Sequence, residues 1–152
     1  MNQTASDMRR RQFHAEGEVE MLALGAQLAG ELGGGQVWTL AGDLGAGKTT
    51  LVRGMLRGLG FSGRVKSPSY GLVESYELGR IVVHHLDLYR LSDPGELDFI
   101  GLEDLLDETS VLLVEWPERA AGRLPPVTTR LWIGIDGEGR WIEIDSGTGQ
   151  TA

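Results

Sequence analysis

The sequence predicts an α/β domain: a mixed central sheet flanked by helices, with antiparallel hairpins. Three observations carry that expectation. A short apolar run, VWTLA at 37–41, feeds a glycine-rich turn and then an amphipathic stretch, the strand–turn–helix order of an α/β unit. A continuous apolar run, VLLVEW at 111–116, reads as a buried and therefore parallel strand, because neither face alternates with polar residues. Two further segments, 70–89 and 129–144, double back around Leu-Gly-Arg and Asp-Gly-Glu-Gly as hairpins do. Strands and helices mixed in this way pack as a sheet with helices on its faces.

The chain of 152 residues is the size of one domain and long enough to bury a core. Its 41% hydrophobic and 24% charged residues are ordinary for a soluble globular protein. No apolar run approaches the roughly 20 residues that a membrane helix needs. There is no cysteine, which excludes disulfides, thiolate metal sites and a cysteine nucleophile. That fits a reducing compartment, and a cytoplasmic location is expected. MRRRQF near the start carries an arginine run, but HAEGEVE follows instead of the apolar stretch of an export signal, so it reads as a solvated basic tail. The formal net charge of −8 makes the chain a poor general binder of nucleic acid. Any role with RNA would run mainly through protein partners.

Taken in order, residues 1–15 read as a loose tail, 16–146 as the folded domain and 147–152 as a frayed end. From Glu18 to Leu32, the residues Met21, Leu24, Leu28 and Leu32 share one helical face, and Gly33-Gly34-Gly35 stops the helix. After the strand at 37–41, a second helix spans about 48–59, with Leu51, Val52, Met55, Leu56 and Leu59 on one face and Arg53 and Arg57 on the other. The hairpin YGLVESYEL and RIVVHHLDLY covers 70–89. Asp93-Pro94 opens a segment whose apolar spacing suits short helices. The strand at 111–116 follows, then a short helix from Pro117, then the terminal hairpin.

Between the first strand and the second helix, Gly42, Gly47, Lys48 and Thr49 complete G-x-x-x-x-G-K-[ST] within Gly42-Asp43-Leu44-Gly45-Ala46-Gly47-Lys48-Thr49-Thr50. Glycines allow a turn tight enough for backbone N–H groups to point inward at phosphate oxygens, and the helix start adds a partial positive charge. Lys48 is placed to reach the β- and γ-phosphates, and Thr49 to offer a hydroxyl to Mg2+. The flanking strand and amphipathic helix are the context that this chemistry requires. A P-loop NTPase-like domain is therefore expected.

Such a site needs an acid at a neighbouring strand end to hold Mg2+ or its water. Four strand-like runs end in an acid: Asp87, Glu115, Asp136 and Asp145. Asp136 and Asp145 belong to the terminal hairpin and read as turn formers. Glu115 and Asp87 are the candidates, Glu115 as the metal or water-positioning acid and Asp87 as a water-mediated metal ligand or catalytic acid. His84 and His85 face opposite sides of their strand, His85 with Asp87, and both read as packed histidines. Ser67, Ser69 and Tyr70 lie on a proline-restrained loop of a kind that can order around a γ-phosphate and Mg2+.

What is missing narrows the class. The only lysines are Lys48 and Lys66, and neither starts the Asn/Thr-Lys-x-Asp loop that reads guanine, so ATP is expected rather than GTP. No arginine-rich lid suggests a small-molecule kinase. That enzyme and a nucleotide-sensing binding module remain the alternatives.

Four motifs in order, GDLGAGKTTLVRG, VKSPSYGLVESY, HLDLYRL and LVEWPE, resemble the bacterial TsaE family, also called YjeE or YdiB, over about residues 18–145. The resemblance implies a small P-loop ATPase required for N6-threonylcarbamoyladenosine modification of tRNA at adenosine 37. It implies ATP and Mg2+ as cofactors and the TsaD–TsaB pair as partners, with ATP binding and hydrolysis resetting that complex. It places phosphate contacts on Gly42 to Thr50 with Lys48, the metal on Thr49, the switch loop on Ser67, Ser69 and Tyr70, and the functional acids on Asp87 and Glu115. Ser69 stands where the family usually has threonine, which keeps the hydroxyl. It also implies a functional Trp116, a nucleotide-proximal Arg140 and an adenine contact near Glu18.

Overall fold

The structure, a computed structural model, describes residues 9–65 and 72–147. Among these residues, seven strands form one sheet: β1 (Arg9–Ala15), β2 (Val37–Gly42), β3 (Val73–Glu77), β4 (Val82–Asp87), β5 (Ser110–Glu115), β6 (Thr129–Asp136) and β7 (Gly139–Ser146), in the order β1-β7-β6-β2-β5-β4-β3. The four central strands β4, β5, β2 and β6 are parallel. Antiparallel β3 closes one edge and β7 with β1 the other. The α/β class with a mixed sheet is what the apolar runs require. Every residue of β5 is buried, as a strand covered on both faces must be. The terminal hairpin alternates, with Leu131, Ile133, Ile142 and Ile144 inward and Arg130, Trp132 and Glu143 outward.

Helix α1 (Glu18–Leu28), continued by a 3-10 turn over Ala29–Glu31, packs beside α2 (Lys48–Gly58) on one face of the sheet. Their Leu24, Leu28, Leu51 and Met55 share a core with Trp38, Leu40, Val111 and Leu113 of the strands. The alternate residues Val37, Leu112 and Val114 pack on the other face against Leu97 of α3 (Glu96–Ile100) and Leu102 of α4 (Leu102–Leu105). The two long helices touch backbone to backbone, since a Cβ on Gly54 would lie 2.4 Å from the carbonyl oxygen of Leu22. That close crossing fixes where α2 begins relative to the sheet. No helix among the described residues is long and apolar enough to cross a membrane.

The N-terminus corrects the sequence reading. Residues 9–15, expected within a loose tail, form β1 and pair with β7 from Arg9↔Ser146 to Ala15↔Arg140. The strand covers the N–H and C=O groups that β7 would otherwise expose, buries Ala15 and packs Phe13 against the core. Arg11 is not a solvated tail residue: its guanidinium donates twice to Glu31, at 2.8 Å to each oxygen. Those bonds hold the Glu31 carboxyl below its usual range. A carboxyl whose folded pKa is depressed contributes stability above its unfolded value, about 4.3, and loses it as pH falls through the folded one. Arg11→Ala is therefore expected to cost up to about 1 kcal/mol at pH 7, as a half-exposed, screened pair should. The difference from the parent should shrink at pH 3, which urea unfolding at both pH values would check.

Candidate functional site

The C-terminal ends of the parallel strands share one edge of the sheet, and three of them build the site. β2 ends at Gly42, β5 at Glu115 and β4 at Asp87, with Leu40 in register with Glu115 and Glu115 with Asp87. Open α/β sheets carry ligands at such an edge. Loop 43–47 leaves β2 and starts α2. Gly42, at φ 149°, lies so close to β6 that a Cβ would stand 2.4 Å from the carbonyl oxygen of Ile133. Ala46 is buried in the core and Leu44 is exposed at the tip. Among the described residues no side chain caps α2, whose N-cap is Gly47 in the left-handed region. Its first-turn N–H groups and dipole are thereby suited to an anion.

Lys48, at the head of α2, is buried. Its ammonium donates to the carbonyls of Gly42 at 2.6 Å and Asp43 at 2.8 Å, and lies 4.2 Å from the centroid of the Trp116 ring. Desolvation lowers its pKa, against the raising influence of the Glu115, Glu118, Asp87 and Asp43 charges. The Thr49 hydroxyl donates to Glu115, 2.9 Å to Oε2 and 3.2 Å to Oε1. Glu115 is 2% exposed and also meets Nε2 of the fully buried His85 at 2.7 Å. Asp87 accepts the Tyr89 N–H at 3.1 Å, and burial pushes its carboxyl above the usual range.

Trp116 adopts φ 59°, ψ 51°, a left-handed conformation that costs a non-glycine residue about 1–2 kcal/mol. The turn brings its indole over Lys48 and against Tyr89, 4.9 Å between ring centroids. Arg119 lies across both rings and donates to the Tyr89 carbonyl at 2.7 Å. A cavity of about 320 Å³ is lined by Leu44, Gly45, Gly47, Lys48, Thr49, Thr50, Asp87, Tyr89, Glu115 and Trp116.

The structure thus brings together Lys48, Thr49, Thr50, Asp87, Glu115 and Trp116. Arg140, reaching from β7, donates to the carbonyls of Ala46 at 3.0 Å and Gly45 at 3.3 Å and braces the loop, without lining the cavity. Asp136 and Asp145 lie on the terminal hairpin beside His14 and Arg10. Ser67, Ser69 and Tyr70 lie outside the described residues. His84 packs as expected, bonded to the Ser75 hydroxyl at 2.7 Å. His85 is the residue that sequence reasoning undervalued. It is packed, but against a carboxylate of the site, and its sequence signals are the face it shares with Asp87 and its place at the head of HLDLYRL.

The oxygen set of Thr49, Glu115 and Asp87 fits Mg2+, a hard cation usually held by one or two carboxylates together with nucleotide phosphates and water. No group of three or more His, Cys, Asp or Glu among the described residues could hold a metal unaided.

Comparison with known proteins identifies a family. A family model described as threonylcarbamoyl adenosine biosynthesis protein TsaE matches residues 15–142. The tRNA threonylcarbamoyladenosine biosynthesis protein TsaE of Haemophilus influenzae is 50% identical over 105 residues, 69% of this chain and 66% of its own length. The protein of the same name from Synechocystis is 43% identical over 99 residues, 62% of each. The matched part spans slightly less than two thirds of these relatives. The crystal structure of Bacillus subtilis YdiB superposes with a TM-score of 0.77 at 28% identity, covering 91% of this chain and 86% of that one.

Proposed function

The chain belongs to the TsaE family of threonylcarbamoyl adenosine biosynthesis proteins, and from that premise we propose that it is a Mg2+-dependent ATPase subunit serving N6-threonylcarbamoyladenosine modification of tRNA. The observation that carries this reading is the buried Lys48 ammonium, held over the cavity by neutral carbonyls and an indole face, beside the bonded Thr49–Glu115 pair. A desolvated cation with only neutral direct partners among the described residues is prepared for an anion. The uncapped N-terminus of α2 adds N–H donors at the same place.

In this reading Lys48 and the loop N–H groups bind the β- and γ-phosphates. Thr49 and Glu115 hold Mg2+, with Asp87 beside them. The metal would supply charge neutralisation on the phosphates. The raised Asp87 carboxyl stands at the cavity wall, where it can orient a water and accept its proton. Trp116 and Tyr89 wall one side, with Arg119 across both rings, and the Trp116 indole lies against the Lys48 ammonium. The chain would act on the TsaD–TsaB pair. Its net charge of −8 suits contact with tRNA through those partners rather than directly.

Reconstituted tRNA modification tests the reading. With purified TsaD and TsaB, sustained modification is expected to need this chain and ATP. Slow hydrolysis by the chain alone should change when the partners are added. If the chain neither binds those partners nor alters modification, the proposal fails. A metabolite that turns over as a phosphate acceptor would replace it with a small-molecule kinase.

A further inference from the structure

Resting on the nucleotide-site reading above, we infer that His85 is a positioning residue for Glu115 and sets how tightly this site takes Mg2+. The His85 ring is fully buried on β4, with Nε2 2.7 Å from Oε2 of Glu115. An ionised carboxylate only accepts, so Nε2 carries the hydrogen. Thr49 donates to the same carboxylate from α2. Glu115 is therefore clamped from two elements, the sheet on one side and the phosphate-loop helix on the other. Oε2 receives both short contacts, at 2.7 and 2.9 Å, whereas among the described residues Oε1 has the longer 3.2 Å contact to Thr49 alone. The clamp draws chiefly on Oε2 and leaves Oε1, with its one longer contact, the more open of the two to a cation or its water.

The rest of the ring argues against simple packing. Nδ1 of His85 is buried and has no hydrogen-bond partner among the described residues. Leaving a buried polar atom unpaired costs about 1–3 kcal/mol, which an apolar ring of similar size would avoid. The bond from Nε2 to Glu115 is the compensating feature. His84, the adjacent residue, provides an internal control. It is also buried, but it belongs to the opposite face of β4 and bonds Ser75, away from the cavity.

The test compares His85→Phe, His85→Gln and His84→Gln with the parent. Affinity for a fluorescent ATP analogue is measured over a Mg2+ titration and in EDTA, with thermal unfolding alongside. Residues that orient metal ligands typically change metal affinity about 10- to 100-fold. His85→Phe is therefore expected to raise the half-saturating Mg2+ concentration by about that factor while Mg2+-free affinity stays within about twofold. Gln can place an amide N–H where Nε2 stood, so His85→Gln should recover part of the loss. His84→Gln should leave the Mg2+ requirement unchanged even where it lowers stability. A parental Mg2+ requirement in His85→Phe, or an equal shift in His84→Gln, overturns the inference. Should His85→Phe not fold, His85→Gln against His85→Asn decides: equal Mg2+ requirements overturn the inference, a weaker Asn variant supports it. A parent chain that binds no nucleotide at all would instead sink the nucleotide-site reading.

Discussion

Lys48→Ala is expected to weaken ATP binding by about 10²- to 10⁴-fold. The ammonium would contact two phosphates, and hydrogen bonds to charged groups contribute about 1.5–3 kcal/mol each, with every 1.4 kcal/mol a factor of ten. The stability of the free protein should move little. The substitution removes two carbonyl bonds and the contact with Trp116, but it also removes a buried cation whose desolvation is unfavourable enough to lower its pKa. The combination is diagnostic. The melting temperature without ligand should stay near that of the parent, while the rise that ATP produces in the parent should vanish, because only binding to the folded state raises it. A variant that ATP still stabilises like the parent would show that Lys48 does not hold the phosphates.

Glu115 is expected to separate binding from turnover. Glu115→Gln keeps the side-chain volume but loses the charge and one acceptor oxygen. With Mg2+ present, turnover should fall about 10²- to 10³-fold, the scale seen when one preorganised electrostatic group is removed. Without Mg2+, nucleotide affinity should hold or improve, because a carboxylate that repels phosphates has gone. Glu115→Ala should in addition destabilise the fold by about 3 kcal/mol, since it leaves the His85 and Thr49 donors facing a cavity. Saturating turnover, EDTA affinity and urea midpoints for both variants would separate these effects. Equal turnover in Glu115→Gln and the parent would remove Glu115 from the proposed chemistry and leave Asp87 as the remaining acid.

The parts of the site that were legible in the sequence are those written in one short stretch. Gly42 to Thr50 carries its own glycines, cation and hydroxyl, and its flanking strand and helix announce themselves by apolar pattern. Asp87 and Glu115 were identified because each ends an apolar run. β1 was not legible. Its alternation is hidden by the arginines at 9–11, and its partner β7 lies at the other end of the chain. The bond from Arg140 to Ala46 spans 94 residues, and that from His85 to Glu115 spans 30. Neither separation leaves a mark in local composition.

The class of fold, the glycine-rich loop with Lys48 and Thr49, and the two acidic strand ends can all be read from the chain alone, because propensity, periodicity and turn chemistry act over a few residues. Which side chains meet is set by the packing of the sheet. The register of β4 against β5 sets Asp87 beside Glu115 and places His85 on the same face, close enough to bond it. The pairing of β7 with β6 and β1 sets Arg140 behind the loop, and the turn at Trp116 sets an indole over Lys48. Strand order and register are properties of the packed sheet. Through them a histidine that reads as core filling becomes the partner of a carboxylate in the site.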